Sequence, residues 1–335
     1  MKVRLIHHLE VKQLLSMKEC IEVMEKAFKL VASGDAEVPL RTSLWLPDKT
    51  GLLGMMPGYI TGDTNIIGIK VISAFLKNHE TPYDSHQGMV LLFETKHGCP
   101  LAIIDAGQIT AIRTAASSGV ATKHLANPDA SRLAILGSGT QASKHLEAML
   151  EVRPINHVSV WSLPLDHGRA FVERKSKQYE IEIDFKESSQ EAVKDADIIC
   201  TVTSSSDPVL FGNTLEECVH INAVGACIPT TRELDTEAVV KSRLYVDCLE
   251  SALNESGDFL IPKAEGAIGE DHILGELGDL ILGKIKGRQN ENEITLFKSL
   301  GISVEDLASA YYIYQKALKQ DAGVEVELGG LREEG

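Results

Sequence analysis

Two glycines and an alanine, spaced Gly137-x-Gly139-x-x-Ala142, separate an apolar run (Leu133 to Leu136) from a helix-compatible segment. Such a turn suits a dinucleotide pyrophosphate. Gly137 allows the tight strand-to-helix turn, Gly139 lets the backbone approach the phosphates, and Ala142 lets the helix lie close to the strand. The pyrophosphate then rests on free backbone N–H groups around Thr140 and Gln141, at the helix N-terminus. The bland reading of the same spacing is a glycine-rich turn without a ligand. An acid about 20 residues further on holds the ribose hydroxyls in sites that prefer NAD. Here the next strand ends Val160-Trp161-Ser162-Leu163, and Asp166 comes later, beside His167 and Arg169. A neutral Ser162 with basic residues nearby favours NADP over NAD. Arg169 is either a contact to the 2′-phosphate or a solvated helix residue.

Three cations are candidates for a substrate. Lys70 interrupts the apolar strand Ile66-Ile-Gly-Ile-Lys-Val-Ile. Period-2 alternation puts it on one face with Gly68 and Ile72, opposite Ile69 and Val71. It is either a solvent-facing edge residue or a cation set in a pocket. Arg113 lies in an Ala-rich helix, where close packing demands a counter-charge or an anionic ligand. Arg41 follows Val38-Pro39-Leu40 at a strand start and, taken alone, is an ordinary surface residue. Together the three suit a small carboxylate, which arginine grips bidentately.

The elements that carry these residues fall into two parts. Residues 11–32 show helical periodicity, stopped by Ser33-Gly34-Asp35. Short apolar runs at 43–46, 51–56, 66–72, 88–93 and 101–105 read as a largely antiparallel sheet. Residues 106–125 form a long small-residue helix, closed by Pro128-Asp129. From Arg132 onward strands alternate with helices, at 133–136, 157–161, 181–185, 198–203, 219–224 and 244–247, which predicts a doubly wound parallel sheet. Residues 304–319 read as a helix returning to the first part. The acidic, glycine-rich tail from Asp321 reads as a flexible end.

Composition sets outer bounds. A chain of 335 residues with 44% hydrophobic content is large enough for two domains. A net charge of −15 argues against nucleic acid or an anionic membrane as partner. None of the six cysteines forms a CxxC pair, and no His/Cys cluster has zinc-ligand spacing, so no metal site is expected. No signal peptide and no membrane-length apolar run is evident, which predicts a cytoplasmic protein with reduced thiols.

Several segments are more specific than the glycine turn. Pro39-Leu-Arg41-Thr, Gly54-Met-Met-Pro-Gly-Tyr59, Gly68-Ile-Lys70, Ser85-His-Gln-Gly-Met-Val-Leu-Leu-Phe93, Ile112-Arg113-Thr114, Ile135 to Ala142, Ile221-Asn-Ala-Val-Gly225 and Phe297-Lys-Ser-Leu-Gly301 occur in this order. With them the chain resembles the ornithine cyclodeaminase/mu-crystallin family along nearly its whole length. The resemblance implies an α/β architecture in which a Rossmann doubly wound domain, residues 119–302, is inserted in an α+β substrate and dimerisation domain, residues 1–118 plus 303–335. It implies a homodimer and a nicotinamide cofactor, NAD or NADP. Arg41, Lys70 and Arg113 match the carboxylate-binding cations. Ser85, His86 and Thr114 match positions near the nicotinamide. Gly137, Gly139, Thr140 and Gln141 match the pyrophosphate turn, Ser162 the adenosine ribose position, and Thr203, Val224 and Ser299 further cofactor contacts.

The expected reaction is NAD(P)H-dependent reduction of an α-imino acid to an L-amino acid, or the reverse dehydrogenation. One departure bears on this. Cyclodeaminases and archaeal alanine dehydrogenases of the family carry an aspartate where this chain has Cys227, and the mu-crystallin-like ketimine reductases also lack it. The alternatives are an ornithine cyclodeaminase with bound NAD and an NADPH-dependent small-ligand binding protein. Residues expected to meet the substrate side chain lie in loops around Trp45, Met55, Met56 and Phe75.

Overall fold

The computed structural model describes residues 1–75, 77–78, 81–330 and 332. The chain forms two compact units, one from Met1–Arg113 with the segment from Ile302 onward, the other from Thr114–Gly301.

The first unit opens with β1 (Lys2–Ile6), α1 (His8–Leu14) and α2 (Met17–Ser33). The single helix expected over 11–32 is therefore two. Ser16 is the reason: its hydroxyl accepts from the Glu19 N–H at 3.3 Å, and the Glu19 carboxylate accepts from the Ser16 N–H at 3.0 Å. This reciprocal capping box starts a new helix. Gly34, at φ +80°, closes α2 in the left-handed conformation. Then follow β2 (Ala36–Glu37), β3 (Thr42–Trp45), β4 (Leu52–Ile60), β5 (Ile66–Ala74), β6 (His86–Glu94) and β7 (Pro100–Asp105). β4 to β7 pair antiparallel in chain order, with Met56 opposite Lys70 and Lys70 opposite Val90. The long helix α3 (Ala106–Leu125) has the expected bounds.

The second unit is a parallel sheet. Its elements run β8 (Arg132–Leu136), α4 (Thr140–Val152), β9 (His157–Trp161), α5 (Leu165–Ser176), β10 (Glu182–Phe185), α6 (Ser189–Val193), β11 (Ile198–Thr201), β12 (His220–Ala223), α7 (Thr236–Lys241), β13 (Arg243–Val246), α8 (Leu249–Glu255), α9 (Gly257–Ala264), β14 (Ile273–Glu276), α10 (Leu277–Ile281) and β15 (Thr295–Lys298). The strand order is β10-β9-β8-β11-β12-β15-β13-β14, and every neighbouring pair is parallel. The central strands β11 and β12 are buried along their length, and the polar residues they carry, Thr201, His220 and Asn222, are buried with them. Two strands were not foreseen. β14 is broken by Gly275, and β15 ends on a charged residue, Lys298.

The chain then returns to the first unit through α11 (Ser303–Gln320) and β16 (Val324–Glu327). β16 pairs antiparallel with β1, and Lys2 meets Glu325 at 2.5 Å. Within the tail expected to be flexible from Asp321, Val324–Glu327 is thus an edge strand. Two valines alternating with acids supply it, and β1 supplies the ladder. Residues 331 and 333–335 lie outside the described residues.

α11 packs against β4, β5, β6 and α2. Two glycines make room for it. A Cβ on Gly58 would lie 2.5 Å from Ser303 Oγ, and one on Gly68 would lie 2.7 Å from Leu307 Cδ2. The two are cross-strand partners, so together they form one notch in the sheet. The opposite sheet face is apolar and open. Leu53, Ile67 and Met89 are 37%, 48% and 45% exposed.

Candidate active site

Lys70 sits on the face that α11 covers, as the alternation requires, and is 2% exposed. It is not an edge residue, because β5 is paired on both sides. Its Nζ lies 2.7 Å from Asp306 Oδ2. Arg113, in the buried part of α3, brings Nε to 3.0 Å from Asp306 Oδ1 and Nη1 to 2.6 Å from Glu305 Oε2. Glu305 and Asp306 are both fully buried. Four charges therefore share one apolar setting, two of each sign. A buried ion pair is tolerated when its members satisfy each other, and removing one member typically costs about 3–5 kcal/mol.

Burial lowers the Lys70 ammonium most. Asp306 opposes that effect, while Arg113 and Arg41 add to it, and the outcome is about 8. Arg113 moves the other way. Its burial is outweighed by the two carboxylates, which raise it above the usual guanidinium value. Arg41, half-buried just before β3, acts on Lys70 through its field. His86 begins β6, with Ser85 Oγ 3.2 Å from its Nδ1. Desolvation and the Lys70 charge lower its imidazole below the ordinary value, and Asp84 opposes them. Of the residues expected to meet the side chain, Met55 and Met56 are in β4 rather than a loop. Only Met56 shares the Lys70 face, opposite it in register; Met55 pairs with Val71 on the open face. Trp45 ends β3 under Lys49, whose Nζ is 5.2 Å from the ring centre. Phe75 covers Gly51.

In the second unit the expected cofactor residues gather at the carboxyl ends of adjacent strands. Gly137 leaves β8 at φ +129°, where a Cβ would lie 2.7 Å from the Val202 carbonyl oxygen. A side chain there is excluded by both conformation and space. Gly139, by contrast, faces open space and caps α4 without a side-chain bond. The first N–H groups of α4, at Thr140 and Gln141, thus start below a clear cradle. That arrangement fits a pyrophosphate. Ser162, at the end of β9, is buried and donates to Ser138 Oγ at 2.8 Å. Thr203, Val224 and Ser299 follow β11, β12 and β15, which are neighbours. The order reverses between β8 and β11, the place where open α/β sheets bind ligands. Thr114 belongs to this unit and follows Arg113 on α3. Arg169, raised above as a phosphate contact, pairs with Glu187 at 2.6 Å and lies over the Phe185 ring.

The structure adds residues that sequence reasoning misses. Glu233 is fully buried and accepts from Thr203 N–H and Oγ at 2.6 Å each, Thr201 Oγ at 2.8 Å and Gly225 N–H at 2.6 Å. It ties the ends of β11 and β12 together. Burial and Asp258 push its carboxyl above the ordinary range. Asp258 in turn accepts from the Glu233 and Leu234 N–H groups and pairs with Lys298 at 3.0 Å. Glu305 and Asp306 were hidden because acids in a first helical turn are ordinary dipole partners. The flanking Val304 and Leu307 were the available clue that this turn is buried.

A model of the ornithine cyclodeaminase/mu-crystallin family matches residues 2–321. The chain belongs to that family. Among solved structures of the family's kind, it is similar to Delta(1)-pyrroline-2-carboxylate reductase of Thermococcus litoralis, in complex with NADH and L-proline. The identity is 42%, over 97% of this chain and 100% of that one, with a TM-score of 0.94. An archaeal alanine dehydrogenase dimer with bound NAD is 31% identical, over 98% and 100%, with a TM-score of 0.92. The ketimine reductase mu-crystallin of Mus musculus is 39% identical, over 84% of this chain and 85% of that protein. Among the described residues no helix is long and apolar enough to cross a membrane.

Proposed function

We propose that this protein reduces an α-imino acid to an L-amino acid with NADH or NADPH, a cyclic ketimine such as 1-pyrroline-2-carboxylate being the preferred substrate. The observation that carries the reading is the buried Lys70–Asp306–Arg113–Glu305 cluster on the α11-covered face. Family relatives that act on such imines support it. The nicotinamide supplies a hydride when bound. Gly137, Gly139, Thr140 and Gln141 would hold its pyrophosphate, and Ser162, Thr203, Val224 and Ser299 the rest. Arg113 and Arg41 bind the substrate carboxylate and orient the C=N bond, which is where most of the acceleration arises. Lys70 donates a proton from Nζ to the imine nitrogen as that nitrogen becomes an amine. A value of about 8 suits a general acid working near neutral pH. Cys227 donates its S–H to the Val224 carbonyl at 3.3 Å and supplies no carboxylate for a distal amine, which favours reduction over cyclodeamination.

NADPH is the favoured donor, because β9 is followed by Ser162, with no acid there to repel a 2′-phosphate. The open sheet face, where Leu53, Ile67 and Met89 are exposed, is covered by a second copy of the chain. Six unpaired cysteines suit the cytoplasm. The test is oxidation of NADPH and NADH by the purified protein with 1-pyrroline-2-carboxylate, with pyruvate plus ammonia, and with ornithine. Consumption with an imine is expected. Ammonia release from ornithine without consumption of either nucleotide overturns the reading. Light scattering that shows a monomer at all concentrations overturns the dimer.

A further inference from the structure

Lys70 and Arg113 carry like charges and both touch one carboxylate. Asp306 offers a separate oxygen to each, Oδ2 to Lys70 Nζ at 2.7 Å and Oδ1 to Arg113 Nε at 3.0 Å. Glu305 sits differently and meets Arg113 through Nη1. Arginine holds its charge under all ordinary conditions, whereas a buried lysine readily gives up its proton. Without a carboxylate between them, Lys70 is the member that would discharge. The other groups around Lys70 do not replace Asp306. Arg41 before β3 is positive, His86 on β6 is an imidazole lowered by desolvation and by Lys70 itself against the opposing Asp84, and Cys20 on α2 is a buried thiol pushed up to about 12 by burial; none of them supplies a carboxylate to Lys70. The Gly58–Gly68 notch is what lets α11 seat Asp306 this deep.

We propose that Asp306 is a positioning residue that bridges Lys70 and Arg113, keeps both charged side by side, and thereby holds the proton Lys70 delivers. The proposal rests on the imine-reductase reading above. In the step it serves, the imine carbon gains hydride and the C=N π pair takes the Lys70 proton. Nζ is left neutral and regains a proton from water.

The experiment compares Asp306→Asn, Asp306→Glu, Glu305→Gln, Lys70→Met and the Lys70→Met/Asp306→Asn double variant. The kcat and KM for imine reduction are followed across neutral and alkaline pH. In the unaltered protein kcat falls as Lys70 loses its proton. In D306N that fall moves down by about 1–3 pH units, the range for loss of a close counter-charge. D306E restores its position, and E305Q leaves it in place. In the Lys70→Met background, Asp306→Asn costs several-fold less kcat than it does in the unaltered protein, since the part that passes through Lys70 is already lost and only the contact with Arg113 remains to be lost. A D306N profile at the unaltered position, or a loss that multiplies with that of K70M, overturns the proposal and leaves the function reading intact. If the unaltered protein reduces no imine, the function reading fails separately. Lys70 is then titrated directly by NMR of lysine-labelled protein, assigned with K70M, and an unmoved D306N titration overturns the proposal. Should D306N fail to fold, E305Q decides: a displaced Lys70 titration there assigns the role to the acid pair and overturns it too.

Discussion

Replacing Gly68 by alanine tests whether the notch under α11 governs the chemistry. The new Cβ would lie 2.5 Å from the Leu91 carbonyl oxygen and 2.7 Å from Leu307 Cδ2. The leucine tip can turn aside, but the carbonyl belongs to the adjacent strand and is fixed by the β5–β6 ladder. Relief therefore requires the strands to part or α11 to lift by a sizeable fraction of an ångström. Overpacking of this kind destabilises by about 1–3 kcal/mol. Lifting α11 also draws Asp306 away from Lys70, which it meets at 2.7 Å. A misplacement near 1 Å in catalytic machinery lowers turnover by about a hundredfold. The matched control is Gly54→Ala on neighbouring β4, where a Cβ meets nothing nearer than 3.5 Å. That change is expected to be neutral, or to stabilise by about 0.4–1 kcal/mol through the unfolded chain. Urea unfolding and imine-reduction kinetics on both variants give the comparison. Unaltered stability and turnover in Gly68→Ala would falsify the seating argument.

Further outcomes can be checked on the same protein. Glu233→Gln turns an amide N–H toward one of the four donors at this site, so nucleotide Kd is expected to rise about tenfold in a fluorescence titration, with no change attributable to Lys70. Ser162→Asp places a carboxylate at the end of β9 and is expected to weaken NADPH far more than NADH; equal effects on both would remove Ser162 from the choice of nucleotide. Burial opposes ionisation of Glu19, yet Lys316, the Ser16 N–H and Tyr312 together lower it to about 2. A lowered carboxyl stabilises above its unfolded value and loses that contribution as pH falls, so Glu19→Gln should unfold earlier at neutral pH and show a flatter acid limb between 4.5 and about 2. Burial holds His145 down to about 4 and, with Arg288 and Arg153, His220 down to about 3, against an ordinary 6.5. The unfolded chain then binds more protons below 6.5, and the second unit is expected to lose stability as pH falls from there toward 4, seen as a falling urea midpoint.

Much of this structure was legible because each element obeys one rule at a time. α3 carries small residues and no proline, and β9 is an almost wholly buried run bounded by turns; both have the expected limits. Period 2 alone puts Lys70 on one face with Gly68 and Ile72, but whether that face is wet or covered depends on α11, more than 230 positions away. The break at Ser16 was a local signal, serine with glutamate three residues on, and was overridden by the longer apolar period. Asp306 and Glu233 were illegible for a different reason. Charged side chains usually mark surface, and only the tertiary arrangement shows that these are fully buried.

The discontinuous first unit also sets an order for biosynthesis. A ribosome releases β5 and the start of α3 early, and Lys70 and Arg113 emerge with them, long before residues 305 and 306 exist. Until α11 is made, the two cations have no acids to be buried with, and the sheet face that will hold them has no cover. The parallel-sheet unit, continuous in sequence, is complete by then and can fold as a nascent domain. The emergence of α11 therefore assembles the charge cluster in one event: helix and acids arrive together, and a chain cut before Ile302 lacks the carboxylates that Lys70 and Arg113 are buried with.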